Sequence, residues 1–198
     1  MMKKMQDNEK EIIRECISES IRIKELLLNP QVIEKFIMVS NVIVETLKNG
    51  RKILICGNGG SAADCQHWAA EMIGRFLKER TSLPFIALTT NTSELTSIGN
   101  DYSFDIVFSR QVEGLGKKGD VLICISTSGT SKNVINAAKT AKKKKMKVLA
   151  LTGKSPSPLS KISDITISAP STQTPRIQEA HSLIIHILCH LVEKKLFE

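Results

Sequence analysis

A chain of 198 residues, 41% hydrophobic and 24% charged, has the size and balance of one globular domain with a full core. No apolar run approaches the roughly 20 residues that span a bilayer, and no apolar stretch follows the basic start MMKKMQDNEKEIIRE, so neither a membrane partner nor a secretory leader is expected and the cytoplasm is the expected compartment. The net charge of +8 suits nucleic acid or a phosphorylated small molecule, but one Trp and one Tyr make no platform for stacked bases, and much of the excess sits in Lys142–Lys145 and Lys147 at a helix end, so no nucleic-acid partner is expected.

Apolar positions at helical spacing predict a helix over about 7–28, with Ile13, Ile17 and Ile21 on one stripe and Ile12, Ile23, Leu26 and Leu27 beside it. Asn29-Pro30 stops it. A second helix is expected from about Val32 to Lys48, with Ile33, Phe36, Ile37, Ile43, Val44 and Leu47 inward and Asn49-Gly50 as its end. This pair, residues 1–50, either covers the core that follows or meets copies of itself. The sequence leaves both open.

The chain is organised around Lys52–Arg75, KILICGNGGSAADCQHWAAEMIGR. An apolar strand (Ile53, Leu54, Ile55, Cys56) breaks at Gly57-Asn58-Gly59-Gly60-Ser61, and a helix follows that carries His67 and Glu71 four residues apart on one face. Small residues at the turn let backbone approach a ligand, and free amides at the helix start suit an anion. Leu83–Thr90 reads as a second buried strand, residues 91–100 as a polar loop with a short helix, and Phe104–Leu115 as a helix closed by Gly116. Asp120–Ile125 is the third strand and runs into Ser126-Thr127-Ser128-Gly129-Thr130-Ser131, followed by a helix over Lys132–Lys144. Lys147–Leu151 and Asp164–Ser168 give two more strands, separated by a Ser/Pro-rich segment, and a closing helix runs from about Arg176 to Phe197.

Strands apolar on both faces, alternating with helices, predict an α/β fold: a doubly wound, five-stranded parallel sheet with helices on both faces and right-handed crossovers. In such sheets ligands bind beyond the carboxyl ends of the strands, and both small-residue loops leave carboxyl ends. The five cysteines (Cys16, Cys56, Cys65, Cys124, Cys189) include no CxxC pair and read as reduced core thiols.

Gly57–Ala62 fits the weak G-x-G-x-x-A form of a dinucleotide loop, but the next strand ends Leu88-Thr89-Thr90-Asn91 without the carboxylate that would hold a ribose, and no triphosphate-binding G-x-x-x-x-G-K-[ST] run occurs. Five hydroxyls in six residues at Ser126–Ser131 exceed what a helix cap needs and suit a phosphate monoester held by hydrogen bonds. His67 and Glu71 form a workable two-ligand arm for zinc, and the closing helix offers Gln178, Glu179, His181, His186 and His190. Gln178 and His186 stand about 12 Å apart in rise on one straight helix, so either Gln178 precedes the helix or the two serve a site from different subunits. A phosphate cradle, a carboxylate and an imidazole without a redox or nucleotide motif point to proton transfer, and aldose–ketose isomerisation through an enediol fits them.

The two N-terminal helices, CGNGGSAADCQHWAAE, the IGND of Ile98–Asp101, GDVLICISTSGTSKNV, LALTGK and RIQEAHSLIIHIL, in this order over nearly the whole chain, resemble the sugar isomerase (SIS) domain family and, within it, the phosphoheptose isomerases. The resemblance implies a flavodoxin-like single SIS domain over 1–198 and a homotetramer with active sites at subunit interfaces. It also implies conversion of D-sedoheptulose 7-phosphate to D-glycero-D-manno-heptose 7-phosphate, the first step toward nucleotide-activated heptose for lipopolysaccharide or capsule. Carried over by residue, it implies one zinc per subunit held by His67, Glu71, Gln178 and His186, with Glu71 and His186 as the acid/base pair. Asn58, Gly59, Gly60, Ser61, Glu71, Asn100, Asp101, Ser126, Thr127, Ser128, Ser131 and Gln178 would hold the sugar phosphate. Some members carry an Asp two residues before the Ile of RIQ, where this chain has Pro175, so no role of that Asp transfers. The alternatives within the family are a non-catalytic protein that binds sugar phosphates or a replication initiator, and an isomerase of another sugar phosphate. The first of these need not keep the metal arm.

Overall fold

The computed structural model describes residues 2–198, with side chains from Asp7 onward; the start MMKKMQ lies outside the described side chains. Its elements in chain order are α1 (Met2–Leu26), α2 (Pro30–Lys48), β1 (Ile53–Gly57), α3 (Gly60–Ile73), β2 (Phe85–Ala87), α4 (Thr92–Asp101), a 3₁₀ turn at Phe104–Ile106 and α5 (Val107–Leu115). Then come β3 (Val121–Ser126), α6 (Lys132–Lys143), β4 (Lys147–Thr152), α7 (Pro158–Ile162), β5 (Ile165–Ser168) and α8 (Thr174–Phe197).

All five strands are parallel, in the order β2-β1-β3-β4-β5, the doubly wound arrangement expected. Because strand side chains alternate between faces, the apolar runs feed two cores. Ile53, Ile55, Val121, Ile123, Leu149 and Leu151 pack with Phe36, Ile43, Trp68, Met72, Ile184 and Leu188 on the side of α2, α3 and α8. Leu54, Cys56, Leu122, Cys124, Val148 and Ala150 pack with Phe108, Val112, Val134 and Ala138 on the side of α5 and α6. The order reverses between β1 and β3, which pair from Ile53↔Val121 to Gly57↔Ile125. The crevice of a doubly wound sheet opens at that reversal, and both small-residue loops leave it side by side.

Several expectations need correction. The second strand is three residues long: it pairs on one side only, with β1, and Pro84 has no N–H to extend it. Ile86 on it is exposed, unlike the fully buried strand expected. Residues 92–101 form one continuous helix where a polar loop with a short helix was expected, because the Asn91 side chain caps it by accepting from the Glu94 N–H at 3.2 Å. The Ser/Pro-rich segment contains α7, started by a capping box between Ser157 and Ser160. Cys56, Cys65, Cys124 and Cys189 are buried free thiols, whereas Cys16 is exposed.

The N-terminal helices differ most from a simple cover. Ile23 and Leu27 of the first are buried, but its stripe Ile13, Ile17, Ile21 is more than half exposed, with Ile12 and Leu26 beside it. On α2, Phe36, Val39, Ile43 and Val44 face α8 and the sheet, while Ile33 and Ile37, expected inward, are exposed. Among the described residues no single helix is long and apolar enough to cross a membrane; α1 and α2 reach that composition only as a pair bent by 73°.

Candidate active site

At the first loop the backbone turns where glycine allows it. Gly59 has φ +54 and caps α3, and a side chain on Gly57 would run into the Ser61 and Ile125 carbonyl oxygens at 2.8 and 2.9 Å. A Cβ on Gly60 would overlap the side-chain amide of Gln178, so the Gln178 side chain lies directly on this loop in space that a larger residue would take. Ser61 is buried in the first turn.

The hydroxyl loop lies alongside. The Ser126 Oγ accepts from the Gly129 N–H at 3.1 Å and lies 3.2 Å from the Ser131 Oγ, and the Ser128 Oγ accepts from the Thr130 N–H and hydroxyl at 3.2 and 2.9 Å. Gly129 turns at φ +65, and the Thr127 carbonyl accepts from the Gly153 N–H at 3.0 Å. Ser131 stands at the N-cap position of α6 yet its side chain makes no capping bond, so the loop's hydroxyls are not used up in starting the helix. Asn58 and Asn133 join the two loops by reciprocal amide bonds of 2.8 and 2.9 Å across the crevice. Asn133 is buried and its Oδ1 also accepts from the Val134 N–H. Sequence reasoning passed over it, although a short amide in the first turn after a hydroxyl loop is a recognisable partner for the facing loop.

Helices α3 and α8 run beside each other, and their seam has regular rungs: Gly60 against Gln178, Asp64 against Ser182, His67 against His186. His67 and Glu71 share a face as expected, Nε2 to Oε1 3.7 Å, and His186 joins them from the same chain with its Nε2 2.8 Å from that of His67. One ligand atom from each of the three lies within 4.8 Å of the others, a group that could hold a metal ion. Two imidazole nitrogens and a carboxylate oxygen are zinc donors, and ligands about 2.0–2.2 Å from one ion stand at most about 4 Å apart, which the two spacings of 2.8 and 3.7 Å satisfy. The donor set fits.

Gln178 does not reach this group within one chain. It lies inside α8, not before it, two helical turns and about 12 Å of rise from His186, and sits at the glycine loop instead. Of the two alternatives read from the sequence, that in which Gln178 precedes the helix is excluded, since α8 already begins at Thr174. Asn100 and Asp101 end α4, exposed, with the Asn100 amide donating to Asp101 at 2.9 Å; among the described residues neither side chain hydrogen-bonds to either loop.

Asp64 was also overlooked. It shares the face of Gly60, His67 and Glu71; its Oδ1 accepts from the Ser182 hydroxyl at 3.2 Å and its buried Oδ2 has no partner. Burial raises its pKa, opposed by the Ser182 bond and by the charge of His67. His181 is fully buried beneath the site, Nε2 3.1 Å from the Thr152 carbonyl, and burial pushes its pKa down to about 4, so it stays a neutral packing residue.

The SIS domain family matches residues 24–153. A phosphoheptose isomerase of Nitratiruptor sp. is 54% identical over 179 residues, 86% of this chain and 96% of that protein. Among solved structures, a phosphoheptose isomerase of Neisseria gonorrhoeae is 45% identical with a TM-score of 0.88, covering 93% of this chain and 98% of its own. One from Francisella tularensis is 36% identical with a TM-score of 0.90, covering 94% and 98%. The strand order, the paired loops at the reversal and these likenesses over nearly the full length agree: the chain belongs to the SIS domain family and, within it, to the phosphoheptose isomerases.

Proposed function

We propose that this chain converts D-sedoheptulose 7-phosphate to D-glycero-D-manno-heptose 7-phosphate in the cytoplasm, toward nucleotide-activated heptose for lipopolysaccharide or capsule. The observation that carries the reading is the convergence of Glu71 and His186 at the end of the α3–α8 seam whose other end is the glycine loop beside the hydroxyl cradle. Glu71 takes the proton from C1 of the ketose and returns a proton to C2, while His186 moves the other proton from the C1 oxygen to the C2 oxygen. A neutral imidazole accepts at one nitrogen, so it can take one hydroxyl proton and give it to the neighbouring oxygen. Ser126, Thr127, Ser128 and Ser131, with the first-turn amides of α6, hold the phosphate; Asn58, Gly59, Gly60 and Ser61 hold the sugar. Zinc held by His67, Glu71 and His186 would polarise the sugar's carbonyl and favour the enediol's developing charge, and His186 would move its proton only while its accepting nitrogen is off the ion, because a zinc-bound neutral imidazole has no acceptor left.

Residues 1–198 act in this reading as a single SIS domain with residues 1–50 as a helical extension, assembled as a homotetramer with active sites between subunits. Supporting the assembly are the exposed isoleucine stripe of α1 and the separation of Gln178 from His186, which leaves Gln178, Asn100 and Asp101 to complete a site with a neighbouring subunit. A non-catalytic sugar-phosphate binder would have no use for the three-residue donor group. The test is incubation of zinc-loaded protein with sedoheptulose 7-phosphate, followed by NMR of the sugar. Appearance of the aldoheptose is expected. Turnover of other sugar phosphates alone, or none, would overturn the substrate or the enzyme reading.

A further inference from the structure

The segment after α3, residues 74–84, has no helix or strand, yet a buried ion pair fixes it. Glu193 of α8 and Arg80 of the loop are each 1% exposed and lie 3.0 Å apart. The Glu193 carboxylate accepts from the N–H groups of Phe76, Leu77 and Lys78 at 2.9, 2.9 and 3.1 Å as well as from Arg80 Nε. The Arg80 guanidinium donates onward to the carbonyls of Met72, Gly74 and Thr81, and to that of Glu71 at 2.9 Å. One pair thus grips the backbone at Glu71 and at Phe76 together. Phe76 in turn stacks on the imidazole of His186, ring centroids 5.6 Å apart and planes 27° from parallel, while His67 meets the same imidazole edge-on at 5.1 Å.

A buried ion pair by itself contributes little net stability that well-packed apolar residues could not. What apolar residues could not do is take three backbone N–H donors of an irregular segment, at Phe76, Leu77 and Lys78, and tie its Gly74 and Thr81 carbonyls to the Glu71 and Met72 carbonyls at the end of α3. Glu193 stands seven residues beyond His186 on α8, so the clamp and the imidazole share a rigid helix. The ring held by the clamp lies on the imidazole's face.

We propose that Phe76 is a positioning residue that fixes the ring of His186 for proton transfer, and that the Arg80–Glu193 pair holds Phe76 in place. The assignment rests on the reading of His186 as an acid/base group. An imidazole between one stacked ring and one edge loses the rotations that would carry its nitrogen away from the sugar oxygens, and misplacement by about 1 Å can cost a hundredfold in rate.

The test uses zinc-loaded Phe76→Leu, Phe76→Tyr, Glu193→Gln and the double variant Phe76→Leu/Glu193→Gln, with kcat and KM measured separately and the His186 ring protons observed by NMR, assigned through His186→Gln. Phe76→Leu is expected to lower kcat roughly ten- to a hundredfold at unchanged KM and to move the His186 resonances downfield as the ring current is lost. Phe76→Tyr should restore both. Glu193→Gln should repeat the loss and add nothing in the double variant, since both act through one contact. If Glu193→Gln fails to fold, the two Phe76 variants decide. Unchanged kcat in Phe76→Leu, or a lowered melting temperature with no change in kcat, would overturn the proposal. So would His186 resonances that ignore the substitution, even if wild type turned out to be inactive. Resonances that do shift while wild type fails to isomerise any sugar phosphate would sink the isomerase reading and leave the contact between the rings standing.

Discussion

Ser131 shows how a single hydroxyl distinguishes ligand binding from helix capping. Its position begins α6, but its Oγ turns to Ser126 at 3.2 Å and makes no capping bond. If the loop holds phosphate as proposed, Ser131→Ala removes a ground-state contact and should raise KM roughly tenfold with kcat unchanged, as steady-state kinetics would read. A lowered kcat at constant KM would contradict the phosphate role. The His67–Glu71 pair was legible because i and i+4 positions share a helical face. The same rule, extended by one turn, reaches Asp64 and, by two, Gly60, and so could have found the carboxylate that Ser182 meets. Phe76 had no such signal. Its place against His186 depends on a buried pair 113 residues apart in sequence, which no local pattern announces.

At the scale of elements, the four longer strands and the long helices could be read because apolar runs and 3.6-residue periodicity are strong signals, whereas β2 and α7 turned on an edge position and a side-chain capping box. Helix α8 is the most loaded element: one stretch carries Gln178 to the glycine loop, Ser182 to Asp64, His186 to His67 and Glu193 to the clamp. Between these lies His181, buried against the end of β4 with Nδ1 unpartnered. Its folded pKa of about 4 is below the ordinary value, so between pH 6.5 and 4 the unfolded chain binds the extra proton. Stability should therefore be full above about pH 6.5, fall as the pH drops toward 4, and lose at most about 3 kcal/mol from this group. Urea unfolding of wild type and His181→Gln at pH 7.5 and 5 would check it. An equal pH dependence in both proteins would contradict the assignment. Glu193 acts in a lower window: burial alone would raise its pKa, but the Leu77, Phe76 and Lys78 amides and Arg80 hold it below the usual carboxylate range. Its contribution is present above the ordinary glutamate pKa and is lost as pH falls through the depressed one.

For the whole molecule, one chain supplies both loops and the His67–Glu71–His186 group but leaves Gln178 about 12 Å away along α8. It also leaves Ile12, Ile13, Ile17 and Ile21 in solvent. The periodicity of α1 announced a stripe without saying what covers it, since burial against the same chain and burial against a copy impose the same spacing. The proposed tetramer would account for both observations. Ile17→Asp should shift the protein from tetramer to smaller species in sedimentation and reduce turnover at least tenfold, because a charge in an apolar interface is strongly unfavourable. Full activity in a dispersed protein would show that each chain works alone.

The central claim is that Glu71 carries a proton between adjacent carbons while phosphate is anchored in the hydroxyl loop. Turnover of sedoheptulose 7-phosphate in deuterium oxide, followed by NMR of the aldoheptose product, reads that step directly. Wild type should place deuterium at C2 to the extent that the protonated Glu71 carboxyl exchanges with solvent at the enediol stage, and folded Glu71→Gln should lose product formation by roughly a thousandfold. Product formed at comparable rates by folded Glu71→Gln, with deuterium at C2 or without it, would contradict the account.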